Sequence, residues 1–290
     1  MLIWSSIITG LGLGSMYGLL ALGFYITYSV SQTVNFAQGS SMMLGAVVYY
    51  GVAVTLAWPA AMATIIALAV CAAWGWVVER FVVRPFASQG SNAWLMATVA
   101  AGIVLENVVL FTYGKEPRSL PSPLAQDPIV IGDLGVYPLQ LLIPIVGLAI
   151  ACALHFVSRR TKLGTAQLAV VQNPDAARLL GIDVRKAIVG AYVVSTVFAG
   201  IAGILIAPLF NVASDMGTLF GIKAFAVAII GGIKSPWGVM VAGLAYGVVE
   251  ALITATLGSV YTQILTFALV IVVLAAMPNG LFGKAEVKKV

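Results

Sequence analysis

The chain has 290 residues, of which 61% are hydrophobic and only 9% charged, against about 25% charged in an ordinary soluble domain. That composition excludes a water-soluble enzyme. The net charge of +5 is spread thinly along the chain, which excludes a nucleic-acid-binding face and leaves lipid as the solvent for most of the surface.

A helix needs about 20 mainly apolar residues to cross roughly 30 Å of hydrocarbon. Runs of this kind occupy 5–29, 38–57, 59–78, 93–113, 138–158, 187–209, 236–256 and 260–277, with a shorter one at 217–233. No Lys or Arg precedes Arg80, so the first run lacks the basic start of a cleavable signal peptide and is expected to remain as a span. The expected fold is an all-α integral membrane protein, a single domain over 1–290 built as a bundle of eight or nine transmembrane helices.

The longer connections set the orientation. Arg80, Arg84, Arg159, Arg160, Lys162, Arg178, Arg185, Lys186, Lys234, Lys284, Lys288 and Lys289 fall on one side if 217–233 crosses fully, against Lys115 and Arg118 on the other. The excess marks the first side as cytoplasmic and places the N-terminus outside, whereas a re-entrant 217–233, the other reading of that run, would break this parity. Small residues recur at four-residue spacing, at Gly14 and Gly18, Ser41 and Gly45, and Gly243 and Gly247. Such spacing lets helix backbones approach closely in lipid.

Polar groups inside apolar runs are the candidate functional residues, because a charge in a span is costly unless paired, interfacial or in use. Glu106 with Asn107, and Glu250, read equally as interhelical hydrogen-bonding groups or as lining of a translocation pathway. Lys223 is read as snorkelling to the headgroups. The stretch 33–41 (TVNFAQGSS) interrupts two apolar helices. It reads either as an unwound segment that lines a polar path with Asn35, Gln38 and Ser40, or as a cytoplasmic turn capping the next helix. The orientation above leans towards the turn. His155 is read as an interfacial residue, and a single histidine supplies no metal cluster. Cys71 and Cys152 lie in apolar runs and are read as small packing residues.

The loop 159–186 reads RRTKLGTAQLAVVQNPDAARLLGIDVRK. Asn173 is a good N-cap, Pro174 suits the first helical position, and Asp175 complements the helix dipole. Gly181 is a natural stop, and Asp183 can cap the next helix. A short helix from Pro174 to Leu180 is expected, preceded by a second helical stretch near 164–171. Its apolar residues Ala176, Leu179 and Leu180 need a cover, either the protein's own helix ends or a partner.

Several segments together resemble the branched-chain amino acid ABC transporter permeases of the LivH type. They are GSMYGLLALGFYITY (14–28), VNFAQGSSMMLGA (34–46), VERFVVRP (78–85), GTAQLAVVQNPDAARLLGI (164–182), GIKAFAVAIIGGIKSPWGVMVAGLAYGVVEAL (221–252) and MPNGLFGKAEV (277–287). The resemblance implies that 159–186 is a cytoplasmic ATPase-docking loop within a transmembrane permease domain, carrying a short coupling helix. Gly164, Ala169, Ala177, Gly181 and Ile182 match the family's docking pattern, and Asn173, Ala176 and Leu180 complete the expected coupling surface. Leu168 departs from it, where the family commonly has arginine.

No G-x-x-x-x-G-K-[ST] phosphate loop occurs in the sequence, so no ATP or other cofactor is expected on this chain. ATP and Mg would sit on two separate ATPase subunits. The resemblance further implies a second permease, usually a related but distinct chain, and an extracytoplasmic substrate-binding protein, in a multi-pass complex of the bacterial inner membrane. Neither catalytic residues nor nucleic-acid contacts are expected. The implied activity is ATP-driven import of branched-chain or other small amino acids. Import of urea, amides or aromatic acids by the same kind of permease is the alternative, and a secondary transporter or channel using Glu106 and Glu250 is the reading from a different class.

Overall fold

The computed structural model describes residues 2–131, 134–277 and 279–283. Lys284, Lys288 and Lys289 of the orientation argument, and Pro278 and 284–287 of the last resembling segment, lie outside them. The chain is an all-α membrane protein. Its helices are α1 (Leu2–Ser31), α2 (Gln38–Tyr50), α3 (Ala60–Val77), α4 (Arg84–Ala87), α5 (Trp94–Tyr113), α6 (Pro138–Arg160), α7 (Lys162–Gln172), α8 (Pro174–Leu179), α9 (Val184–Ile206), α10 (Met216–Gly231), α11 (Pro236–Leu257) and α12 (Ser259–Ala276). One small antiparallel hairpin, β1 (Ile129–Ile131) and β2 (Leu134–Val136), precedes α6.

Among the described residues, 7 helical stretches are long and apolar enough to cross a membrane. They coincide with seven of the runs read from the sequence. The other two runs form shorter helices. α2 has 13 residues and continues as a π-helical turn over Gly51–Thr55, and α10 has 16 residues, about 24 Å of helix. A second π-helical stretch, Val78–Val83, joins α3 to α4.

The contacts divide the chain into two compact units, and three of the four divisions fall inside α1, α6 and α10. One unit comprises residues 1–25, 123–151 and 223–290. Here α1 packs on α11 through the glycines singled out by their spacing. A Cβ on Gly14 would lie 2.6 Å from the Gly243 carbonyl oxygen, and one on Gly247 would lie 2.2 Å from the Gly14 nitrogen. No side chain fits between these backbones, and the two glycine pairs prove to be each other's partners.

The other unit comprises 26–122 and 152–222. α2 packs there against α3, α5 and α9. Gly45 abuts Gly200, and the buried Cys71 thiol faces the Ser41 carbonyl. Cys152 is exposed rather than packed.

The break after α1 is not a turn beyond the helix ends. Gln32, at φ 56°, ends α1, and Thr33, Val34, Asn35 and Ala37 are buried. The Thr33 hydroxyl shares a 2.7 Å hydrogen bond with Tyr192 of α9, and the Phe36 N–H donates to Thr98 of α5. Tyr192 lies about 12 Å along α9 from its start. The unwound segment is therefore enclosed among helices, the setting in which exposed backbone is tolerated at membrane depth. The lean towards a cytoplasmic turn is corrected. Charge counting registers only which side a connection is nearer, not how far it reaches into the bundle.

Candidate functional site

The loop between α6 and α9 is built from local rules that the structure follows closely. Thr161 caps α7, its side-chain oxygen accepting from the Gly164 N–H at 3.0 Å. Asn173 has extended backbone, and its Oδ1 accepts from the N–H groups of Asp175 and Ala176, both at 3.0 Å. Those bonds satisfy donors that every helix start leaves orphaned. Gly181, at φ +79°, then reverses the chain, and the Ile182 N–H returns to the Ala177 carbonyl at 3.0 Å. Asp183 caps α9 through the Lys186 N–H at 3.1 Å. That backbone bond, helped by the Lys186 side chain against a smaller desolvation effect, holds the Asp183 carboxyl below its ordinary 3.8.

The caps fix which side of α8 faces out. Ala177 is 1% exposed, whereas Leu179 is 90% and Leu180 78% exposed. Ala176, Asn173 and Gly181 are also exposed, Ala169 and Ile182 half-buried, and Gly164 buried. A Cβ on Gly164 would lie 2.1 Å from the Val157 carbonyl oxygen, so this glycine lets α7 close against the end of α6. Leu168 is half-buried. The protein's own helix ends cover Ala177 and leave the two leucines bare.

Beside this loop lies a cavity of about 750 Å³ whose lining includes Glu79, Arg84, Arg178 and Arg185. The Arg84 guanidinium donates to both oxygens of the buried Glu79 carboxylate. Sequence reasoning used Arg84 only as a topological charge and passed over Glu79. The signal was the spacing of five, which a π-helical turn brings together and an α-helix does not.

The residues expected along a translocation pathway fall into separate settings. Gln38 is locked to α9. Its amide donates to the Ser195 carbonyl at 2.9 Å and accepts from the Ser195 hydroxyl at 3.0 Å. Asn35 holds the break through its Oδ1, which accepts from the Ala37 N–H at 3.1 Å. Asn107 is exposed and donates to Ile103 of its own helix. Ser40 and Glu106 are brought together. The Ser40 hydroxyl donates to Glu106 Oε1 at 3.0 Å, and Thr218 of α10, not foreseen, donates to the same oxygen at 2.7 Å.

Glu250 lies in the other unit and is paired. Lys223 Nζ donates to its Oε1 at 2.6 Å, with Lys223 7% and Glu250 8% exposed. The Lys223 ammonium also stands 5.8 Å from the Tyr17 ring, which meets Tyr246 edge-on. The expectation that Lys223 snorkels is thus overturned: with a carboxylate in reach, pairing removes the cost of burial that snorkelling would have avoided.

Residues 6–274 match the family described as "Branched-chain amino acid transport system / permease component". The chain is 33% identical to the high-affinity branched-chain amino acid transport system permease protein LivH of Salmonella typhimurium, over 97% of this chain and 96% of that protein. It is 30% identical to the corresponding permease protein BraD of Pseudomonas aeruginosa, over 98% and 97% of the two chains. A solved structure of PsaBC from Streptococcus pneumoniae in complex with Fab superimposes with a TM-score of 0.51, covering 96% of this chain and 93% of that one at 11% identity. That last likeness concerns the fold alone.

Proposed function

The chain belongs to the permease-component family of branched-chain amino acid transport systems, and from that premise we propose that it imports leucine-like amino acids using ATP hydrolysed on separate subunits. The observation that carries the motor coupling is the loop helix α8. It is capped at both ends and closed onto the loop through the buried Ala177, yet it presents Leu179 and Leu180 to solvent. A short ordered helix with its apolar side chains bare is suited to the groove of a partner protein. Two ATPases, a second permease related to this one, and an extracytoplasmic binding protein complete the assembly in this reading, which places it in a bacterial inner membrane. ATP binding moves the 164–182 segment, and the helices shift between two states that bind solute differently.

The relatives' names supply the substrate class. Import of urea, amides or aromatic acids by the same architecture is the nearest alternative. A secondary transporter or channel using Glu106 and Glu250 as ion sites is less well supported, because Lys223 already pairs with one of the two carboxylates, Glu250.

The test uses the reconstituted complex with its ATPases and binding protein. Leu180→Asp changes a solvent-exposed side chain and leaves the permease inserted. It is expected to weaken ATPase association by about 2 kcal/mol or more, near thirtyfold, and to abolish substrate-stimulated hydrolysis. Gly181→Val, which combines an added side chain with a disfavoured positive φ, is expected to do the same. Normal co-purification and stimulated hydrolysis in both variants would remove the docking assignment.

A further inference from the structure

Glu106 stands well inside α5, a helix long and apolar enough to cross a membrane, and is half-buried. None of the ion pairs among the described residues includes it. A carboxylate so placed faces water or protein, since contact with lipid tails is costly.

The surroundings are built to hold it there. Gly39 of α2 and Gly217 of α10 meet backbone to backbone: a Cβ on Gly39 would lie 2.2 Å from the Gly217 carbonyl oxygen, and one on Gly217 would lie 2.0 Å from the Gly39 carbonyl oxygen. The residue after each glycine carries a hydroxyl, Ser40 and Thr218. The contact between the glycines thus places both hydroxyls at the starts of their helices, and both donate to Glu106 Oε1. Gly102, one turn before Glu106, leaves the Ser40 hydroxyl its room, for a Cβ there would lie 2.9 Å from it. Both hydrogen bonds end on one oxygen, and among the described residues none ends on Oε2. The arrangement fixes a carboxylate against two helix starts, which favour negative charge, and leaves one of its oxygens open for a cation.

We propose that Glu106, positioned by Ser40 and Thr218, is a subsite for the primary ammonium group of the transported amino acid. This rests on the amino acid reading above and narrows it. A neutral solute such as urea or an amide gains nothing from a charge here, whereas an ammonium group gains a charge-assisted hydrogen bond to Oε2. The competing role is a purely structural staple joining α2, α5 and α10.

Glu106→Gln separates the two, because the amide oxygen still accepts from both hydroxyls while the charge is lost. Proteoliposomes holding the complete transporter are assayed for leucine uptake at saturating binding protein, with and without isoamylammonium, which carries leucine's ammonium and side chain but no carboxylate. Wild-type uptake is expected to be slowed by isoamylammonium. Glu106→Gln is expected to lower uptake about tenfold and to abolish the sensitivity to isoamylammonium, while Thr112→Ala on the same helix behaves as wild type. Equal uptake by wild type and Glu106→Gln overturns the subsite and leaves a staple, as does unchanged sensitivity to isoamylammonium in the variant. If the wild-type complex carries no leucine with ATP, the amino acid reading itself falls.

Discussion

Glu250 and Glu106 are the same residue type set in similar apolar runs, yet the structure treats them oppositely. Glu250 is shut away in one unit with a lysine against it and two tyrosines near by. Glu106, in the other unit, is half open and meets hydroxyls in place of a cation. The difference teaches that an acidic residue in a span is not a functional sign by itself. What matters is whether the protein supplies the counter-charge from its own chain. Glu250 has been supplied with one, and its first role is to hold α10 to α11. Glu106 has not.

The contrast can be broken most strongly at the buried pair. Glu250→Leu leaves the Lys223 ammonium without its partner, and thermal unfolding of the purified permease is expected to show a loss of about 3–5 kcal/mol. The double variant Glu250→Leu with Lys223→Met is expected to recover most of it, since a matched apolar pair needs no counter-charge. Failure of the double variant to recover would mean the ions do more than hold each other. A middle-sized effect is expected at Gln38→Ala, which removes both hydrogen bonds to Ser195 that fasten α2 to α9. The same melt is expected to fall by about 1–3 kcal/mol. The smallest is Glu106→Gln, where both hydroxyl bonds survive and stability is expected to change by less than about 1 kcal/mol. A large loss there would assign Glu106 to the scaffold along with Glu250.

What was legible in the sequence divides along the distance over which each interaction acts. The caps at Asn173, Gly181 and Asp183 were readable because capping chemistry is completed within about four residues. The long spans were readable because lipid demands length and apolarity and little else. The spacing of Gly14, Gly18, Gly243 and Gly247 showed where close approach would occur, but not that the two pairs would meet. Lys223 and Glu250 are separated by 27 positions, and nothing local joins them, so the lysine was assigned to the headgroups. Thr218 was overlooked for the same reason: an exposed threonine gains meaning only when Gly39 and Gly217 bring two helix starts together. Glu79 with Arg84 is the instructive middle case. They are close in sequence, yet the pairing depends on a π-helical turn that periodicity of the ordinary kind does not anticipate.

The two bare leucines of α8 bear on the life of the subunit before it is assembled. A chain inserted ahead of its partners displays a greasy, well-ordered knob on its basic side, the kind of surface that chaperones hold and unpartnered knobs share with one another.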